Sequence, residues 1–120
     1  MADILLVDDE ESVLRSLKVL LSSEGHEVTA ISDSGVVAET LNENSFDLLI
    51  TDIRMSPLSG MDILKISHEL RPDMPALVIS AYGSEKTIEQ AYSLGCVAYI
   101  RKPFSIEEVV TAVESALGAS

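Results

Sequence analysis

Short apolar runs alternate with amphipathic helical stripes along the whole chain, and this alternation occurs five times. Each run is too short for a helix, and all but the second are apolar at nearly every position, which is typical of a strand buried on both faces. The runs cover residues 4–7, 27–31, 48–51, 76–79 and 97–100. Strand–helix units with short connections predict an α/β fold, a doubly wound five-stranded parallel sheet with helices on both faces.

Polar residues mark the expected helix starts. Ser34 precedes the second helical stripe, and Ser84 precedes the fourth as a predicted N-cap. Ser105, with Glu108 three residues later, matches a capping box before the last helix. The third helix is predicted to begin at about residue 61 and to end at residue 70, before Arg-Pro.

A chain of 120 residues and 12.9 kDa has the size of one domain. We expect residues 1–120 to form a single domain, which could be the N-terminal part of a longer protein. Cys96 is the only cysteine, so a disulfide framework and a zinc site with two or more thiolates are excluded.

The net charge of -12 restricts the partners of the chain. Because nucleic-acid binding depends on Lys and Arg neutralising phosphates, we expect no direct nucleic-acid binding by this domain. Anionic membranes are disfavoured for the same reason, and no apolar run reaches the roughly 18 residues that a membrane span requires. The N-terminus lacks the features of a signal peptide, so we expect a cytoplasmic protein.

Polar side chains follow four of the five predicted strands. Asp8 and Asp9 follow the first, Asp52 the third, Ser80 the fourth and Lys102 the fifth, whereas the second contributes nothing obvious. In a doubly wound sheet, ligands bind outside the carboxyl ends of the strands. We therefore expect these residues to converge on one site.

Carboxylates brought together repel one another and need a counter-cation. An all-oxygen site of this kind suits Mg²⁺, and Lys102 supplies a second positive charge. A carboxylate beside Mg²⁺ and a lysine is well placed to attack a phosphoryl group, because both cations offset charge on the phosphoryl oxygens. The hydroxyl of Ser80 could donate a hydrogen bond to one of those oxygens.

Four motifs in order give the chain a specific resemblance to a known family. They are Val7-Asp8-Asp9-Glu10, residues 47–55 (DLLITDIRM), Ile79-Ser80-Ala81-Tyr82, and residues 99–104 (YIRKPF). Over essentially its whole length the chain resembles the receiver domain of bacterial two-component response regulators. The resemblance implies a flavodoxin-like (βα)5 receiver fold. Residues 51–55 and 81–83 further resemble receivers fused to an ATPase of the enhancer-dependent transcription activator class.

The resemblance implies that Asp52 accepts a phosphoryl group from a phosphohistidine on a sensor histidine kinase or phosphotransfer protein. It also implies that Asp9 and Asp52 bind Mg²⁺ directly, that Asp8 binds it largely through water, and that the backbone carbonyl of Arg54 is a further ligand. Such a domain is not a conventional enzyme, because it catalyses its own phosphotransfer and autodephosphorylation.

The same resemblance implies roles for the residues around the phosphoryl group. Lys102 would pair with that group, Ser80 would move toward it on activation, and Tyr99 would rotate inward into the space that is vacated. The peptide bond between Lys102 and Pro103 is expected to be cis, which X-Pro bonds allow at little cost.

The sequence departs from the family pattern in the loop after Asp52 and before the last strand. The loop has its proline at Pro57, one position later than usual, which reshapes the loop. Residues 95–98 replace a stretch that is often acidic, so the charged dimer of many receivers is less expected, although a homodimer stays open. Arg54 and Tyr82 form a bulky pair where the family controls water access, and we expect slow loss of the phosphoryl group.

Two other functions compete with the phosphorylation switch. One is a phosphorylation-independent pseudo-receiver that acts as a protein-interaction module, against which the full set of site residues argues. The other is a Mg²⁺-dependent phosphatase of similar topology, which is disfavoured because Arg54 stands where a second acidic residue would act as acid and base. The kinase, the output, the oligomeric state and the phosphoryl lifetime stay open.

Overall fold

The predicted strands and helices all form, in the predicted order. The computed structural model describes residues 2–118. The strands are β1 (Asp3–Val7), β2 (Glu27–Ile31), β3 (Leu48–Thr51), β4 (Ala76–Ser80) and β5 (Cys96–Arg101). The helices are α1 (Glu11–Ser23), α2 (Val37–Glu43, after a 3-10 turn at Ser34–Val36), α3 (Gly60–Leu70), α4 (Glu85–Ser93) and α5 (Ile106–Gly118).

The strands form one sheet in the order β2-β1-β3-β4-β5, and all pairs are parallel. This confirms the doubly wound five-stranded parallel sheet. Strands β1, β3 and β4 lie inside the sheet and are buried almost throughout, whereas β2 lies at one edge and is only half-buried. The central strands therefore carry the continuous apolar runs of the sequence.

Two layers of core cover the two faces of the sheet. Since successive strand residues point to opposite faces, Ile4 and Leu6 pack on one side and Leu5 and Val7 on the other. The first side is covered by α1 and α5, and the second by α2, α3 and α4. Helices thus cover both faces of the sheet, and the polar residues at the carboxyl ends of the strands lie outside these two core layers.

The capping residues of the two last helices are confirmed. The Ser84 side chain accepts a hydrogen bond from the Thr87 N–H at 3.2 Å. At α5, the Glu108 N–H donates to Ser105 Oγ at 3.1 Å, and the Ser105 N–H donates to Glu108 Oε1 at 3.0 Å. The capping box predicted for α5 is therefore complete.

The starts of the second and third helices differ from the prediction. The side chain of Asp33, not of Ser34, caps the turn before α2 by accepting from the Gly35 N–H at 2.9 Å. Ser34 is buried instead. Helix α3 begins one residue early, at Gly60, because Ser59 and Asp62 form a capping box in which the shorter aspartate replaces glutamate.

No helix within residues 2–118 has the length and apolar character that crossing a membrane would require.

Gly60 ties the β3–α3 loop to the end of β3. Its N–H donates to the carbonyl oxygen of Ile53 at 2.8 Å, and a Cβ placed on Gly60 would lie 2.0 Å from the carbonyl oxygen of Asp52. That distance is far below van der Waals contact, and the clashing atom belongs to the backbone. Only a residue without a side chain fits there, so Gly60 sets how closely the loop approaches Asp52.

The substitution Gly60→Ala is expected to lower the free energy of unfolding by about 1–3 kcal/mol, the usual cost of overpacking a rigid site. Urea unfolding followed by circular dichroism measures it. Gly118→Ala is the matched control, because a Cβ at Gly118 meets no atom within 4 Å. Equal unfolding midpoints for the two variants would contradict the close approach at Gly60.

Candidate functional site

Four polar side chains converge at the carboxyl edge of the sheet, as the sequence predicts. Asp8 follows β1, Asp52 follows β3, Ser80 ends β4 and Lys102 follows β5. Asp8 and Asp52 lie side by side because β1 and β3 are paired in register, and the Asp52 N–H donates to the carbonyl oxygen of Val7 at 3.0 Å. Asp8, Asp52 and Ser80 are buried, with 2%, 6% and 1% of their surface exposed.

Lys102 joins the carboxylates. Its Nζ lies 2.9 Å from Asp52 Oδ2, 3.0 Å from Asp8 Oδ2 and 3.3 Å from Glu10 Oε1. Its side chain is 10% exposed, so the ammonium is held in a largely desolvated environment where attraction between opposite charges is strong. One cation that follows β5 thus offsets part of the negative charge of the carboxylates that follow β1 and β3.

The pKa values in this cluster show competing effects of burial and charge. Burial raises the pKa of Asp8, and the nearby charge of Asp52 raises it further, while the Glu10 N–H and Lys102 act in the opposite direction. For Lys102, burial alone would lower the pKa, but hydrogen bonds and charges from Asp52 and Asp8 outweigh it and the pKa is raised. Lys102 is therefore fully protonated at neutral pH.

Backbone N–H groups hold the other carboxylate oxygens. Asp8 Oδ1 accepts from the Glu10 N–H at 2.9 Å, and Asp52 Oδ1 accepts from the Ile53 N–H at 2.6 Å. Each carboxylate is therefore fixed by one local backbone donor and by the distant Lys102. Within residues 2–118, no buried side-chain nitrogen or oxygen lacks a hydrogen-bond partner.

Glu10, not Asp9, faces this cluster. One carboxylate oxygen each from Asp8, Glu10 and Asp52 lies within 4.8 Å of the others, whereas Asp9 is exposed and lies outside this group. An all-oxygen set of this kind fits a hard cation such as Mg²⁺. Glu10 is the N-cap residue of α1, but its side chain makes no capping hydrogen bond.

Ser80 and Tyr99 share a partner at the next loop. Ser80 Oγ accepts from the Tyr82 N–H at 3.1 Å, and the Tyr99 hydroxyl donates to the carbonyl oxygen of Tyr82. Tyr99 is half-buried, and burial raises the pKa of its phenol. The β4–α4 loop therefore contacts both side chains for which the resemblance implies movement.

The side chains of Arg54 and Tyr82 stack on each other. The Arg54 guanidinium carbon lies 3.5 Å from the centroid of the Tyr82 ring, which is within cation–π range. Arg54 lowers the pKa of the Tyr82 phenol. This contact joins the β3–α3 loop to the β4–α4 loop beside Asp52.

A second contact fixes the loop that carries Pro57. The buried Ser34 Oγ accepts from the Leu58 N–H at 2.9 Å, and the ring of Pro57 lies against Gly35. The peptide bonds Ser56–Pro57 and Lys102–Pro103 are both cis. The sequence around Ser34 indicates only a helix start, and no local pattern indicates its contact with a loop 24 residues away.

A model of the family described as response regulator receiver domain matches residues 4–114. The chain belongs to this family. The receiver domain is 34% identical over 115 residues to the transcriptional regulatory protein ZraR of Escherichia coli K12, which covers 96% of this chain and 26% of ZraR. It is 32% identical over 112 residues to the DNA-binding transcriptional regulator NtrC of Proteus hauseri, covering 93% of this chain and 24% of NtrC. The chain spans about a quarter of the length of these relatives.

Solved structures show the same fold. A CheY-like receiver domain protein from Methanospirillum hungatei JF-1 superposes with a TM-score of 0.94 at 28% identity, over 99% of this chain and 95% of that one. NtrX from Brucella abortus in complex with ADP gives 0.92 at 31% identity, over 98% of this chain and 27% of NtrX. The beryllofluoride-activated NtrC4 receiver domain dimer gives 0.93 at 28% identity, over 98% and 97%. The receiver fold is confirmed, and so is the resemblance to the receivers of transcriptional regulators such as NtrC.

Replacing the ammonium of Lys102 tests how the receiver domain tolerates its buried carboxylates. In buffer without divalent metal at pH 7, Lys102→Met is expected to lower the free energy of unfolding by roughly 2–3 kcal/mol, because Asp8 and Asp52 lose their cation. The pKa of Asp8 is higher in the folded state than in the unfolded state, so protonation of its carboxylate stabilises the folded state. The destabilisation should therefore be greatest at neutral pH and shrink as the pH falls through the raised pKa of Asp8.

Urea unfolding at a series of pH values measures this destabilisation. Lys86→Met is the control, since Lys86 is exposed and forms no ion pair within residues 2–118. A destabilisation by Lys102→Met that is no greater than the control at neutral pH, or that does not change with pH, would contradict the role assigned to Lys102.

Proposed function

We propose that this receiver domain is a phosphorylation-activated signalling switch in which Asp52 accepts a phosphoryl group from a sensor histidine kinase or phosphotransfer protein. The observation that carries the proposal is the Lys102 ammonium held between Asp52 and Asp8 at the carboxyl edge of the sheet. Membership of the receiver family supports it. No observation favours the pseudo-receiver, because Asp8, Asp52, Ser80 and Lys102 are present and close together.

In the proposed transfer, a carboxylate oxygen of Asp52 attacks phosphorus. An O–P bond to Asp52 forms while the bond between phosphorus and the histidine nitrogen breaks. The electron pair of the broken bond stays on that nitrogen, which then takes a proton from water. Lys102, 2.9 Å from Asp52 Oδ2, offsets the negative charge on the phosphoryl oxygens.

The carboxylates around Asp52 provide the proposed place for Mg²⁺. Asp8, Asp9, Asp52 and the backbone carbonyl oxygen of Arg54 are the proposed ligand set. Glu10 lies beside Asp8 and Asp52 at the same edge of the sheet and is not one of the proposed ligands. When bound, Mg²⁺ would supply positive charge that stabilises the phosphoryl oxygens during transfer.

The proposed switch runs through Ser80 and Tyr99. When Asp52 is phosphorylated, the Ser80 hydroxyl gives up the Tyr82 N–H and donates to a phosphoryl oxygen. The β4–α4 loop then moves with Ser80, which breaks the contact of the Tyr99 hydroxyl with the Tyr82 carbonyl and lets Tyr99 turn inward. Phosphorylation thereby shifts the population of two conformations of this region.

The named relatives suggest how the switch is used. ZraR and NtrC are transcriptional regulators, so we infer that this domain controls a transcriptional output, with the enhancer-dependent class as the proposed one. The NtrC4 receiver forms a dimer, which makes a homodimer a candidate partner state. Cytoplasmic location follows from the same proposal. The charge of -12 argues against contact between this domain and DNA.

Incubation with acetyl phosphate and Mg²⁺ is expected to add one phosphoryl group to the wild type, as measured by intact mass. Asp52→Asn should add none, because the nucleophilic carboxylate is lost, and removal of Mg²⁺ with EDTA should abolish the addition to the wild type. Asp73→Asn is the matched control, since Asp73 is an exposed aspartate away from the site. Addition of the group to Asp52→Asn at the wild-type level would refute Asp52 as the acceptor.

The stack of Arg54 on Tyr82 is expected to prolong the life of the phosphorylated state. Arg54 comes two residues after Asp52 and Tyr82 two residues after Ser80, and in the proposal their stacked side chains restrict the attacking water. Arg54→Ala and Tyr82→Ala should each shorten the phosphoryl lifetime several-fold, as followed by decay of the phosphorylated mass after the donor is removed. Arg15→Ala, at an exposed position on α1, should leave the lifetime unchanged. Wild-type lifetimes in both stack variants would show that the stack does not restrict water.

A further inference from the structure

The ammonium of Lys102 has all its donors engaged before any phosphoryl group arrives. An ammonium has three N–H groups, and Lys102 Nζ has three carboxylate oxygens within hydrogen-bond distance, at 2.9 Å on Asp52, 3.0 Å on Asp8 and 3.3 Å on Glu10. A phosphoryl group on Asp52 adds new oxygens that need a donor from the same nitrogen. One of the present partners must therefore leave.

Glu10 is the partner that can leave at least cost. Asp52 carries the phosphoryl group, and the buried Asp8 is held by the Glu10 N–H as well as by Lys102. The side chain of Glu10 is 58% exposed, and its bond to Lys102 is the longest of the three. Within residues 2–118 that bond is the only hydrogen bond of the Glu10 side chain, so its carboxylate can return to water without leaving another group unpaired.

We propose that Glu10 is a positioning residue that occupies the third N–H of Lys102 in the resting domain and yields it to the phosphoryl group. The inference rests on the proposed function of Asp52, and it adds that Glu10 competes with the phosphoryl group for Lys102. In the resting state Glu10 occupies the Lys102 donor that Asp8 and Asp52 leave free. During transfer its negative charge opposes the approach of the anionic donor, until the side chain swings out and a phosphoryl oxygen takes its place.

This role predicts that removing the charge of Glu10 changes the donor concentration at half-maximal rate and leaves the maximal rate nearly unchanged. Loss of the Glu10 charge should ease entry of an anionic phosphodonor, so the donor concentration at half-maximal rate should fall. The maximal rate should stay close to that of the wild type, because Lys102 reaches the phosphoryl group in both proteins. A residue with a merely structural role would not produce this split.

The test uses the 120-residue chain with acetyl phosphate at a Mg²⁺ concentration that saturates each variant. Glu10→Gln removes the charge and keeps the length of the side chain. The donor concentration at half-maximal rate should fall about three- to tenfold, because one negative charge is removed from a partly exposed position a few ångströms from the anionic donor. Glu11→Gln is the matched control, because it removes the same charge at the next, exposed position, which has no ion pair within residues 2–118.

Two further measurements separate structure from positioning. In EDTA, the urea midpoint of Glu10→Gln should stay close to that of the wild type, since the ion pair of the exposed Glu10 carboxylate with Lys102 is screened by solvent. The binding of beryllofluoride, a phosphoryl analogue that requires no transfer, should tighten in Glu10→Gln by about the same factor as the donor concentration falls. These two results together with the kinetic split support the proposal.

The outcomes distinguish the inference from the function on which it rests. If the wild type is phosphorylated and Glu10→Gln behaves like Glu11→Gln, the inference is wrong and the phosphorylation switch stands. If Glu10→Gln lowers the maximal rate at saturating Mg²⁺, Glu10 is required for transfer and the inference is again wrong. If the wild type neither gains a phosphoryl group nor binds beryllofluoride, both proposals fall.

Discussion

Two buried carboxylates lie side by side at the edge of the sheet, and the ammonium of Lys102 makes this arrangement tolerable. Asp8 and Asp52 are placed there by the register of β1 and β3, and Lys102 reaches them from β5, on the far side of β4. The repulsion and desolvation that raise the pKa of Asp8 are offset by one cation delivered from a distant part of the chain. The site therefore exists only when the whole sheet has assembled.

Rigid and movable parts of the site are clearly divided. Asp8 and Asp52 are fixed by backbone N–H groups, and Gly60 and Ser34 hold the β3–α3 loop against the sheet and the neighbouring loop. The movable part consists of side chains that are partly exposed or have a single partner. These are Glu10, Tyr99 and Tyr82. A rigid Asp52 beside loosely held neighbours is the arrangement that the proposed phosphorylation switch needs, since the proposed acceptor must keep its geometry while its surroundings change.

Much of the site could be predicted because it follows directly from the strands. Asp52, Ser80 and Lys102 come at the ends of apolar runs, and parallel strands bring such ends to one edge, so their convergence needed no knowledge of loops. Glu10 was not predicted to contact Lys102, and Asp9 lies outside the acidic group, because the direction of each side chain depends on the path of the loop between β1 and α1. Ser34 was assigned to a helix start for a similar reason: its partner, Leu58, is distant in the sequence.

The sequence by itself determined the order of strands and helices, the burial of the central strands, the caps at Ser84 and Ser105, and the residues at the strand ends. These features are encoded locally, in hydrophobic periodicity and in hydrogen bonds between residues a few positions apart. Tertiary structure alone decided that Lys102 binds three carboxylates, that Arg54 stacks on Tyr82, and that Gly60 must lack a side chain. These contacts join segments that meet only when the sheet is complete, and no local pattern specifies which loop atoms will then be neighbours.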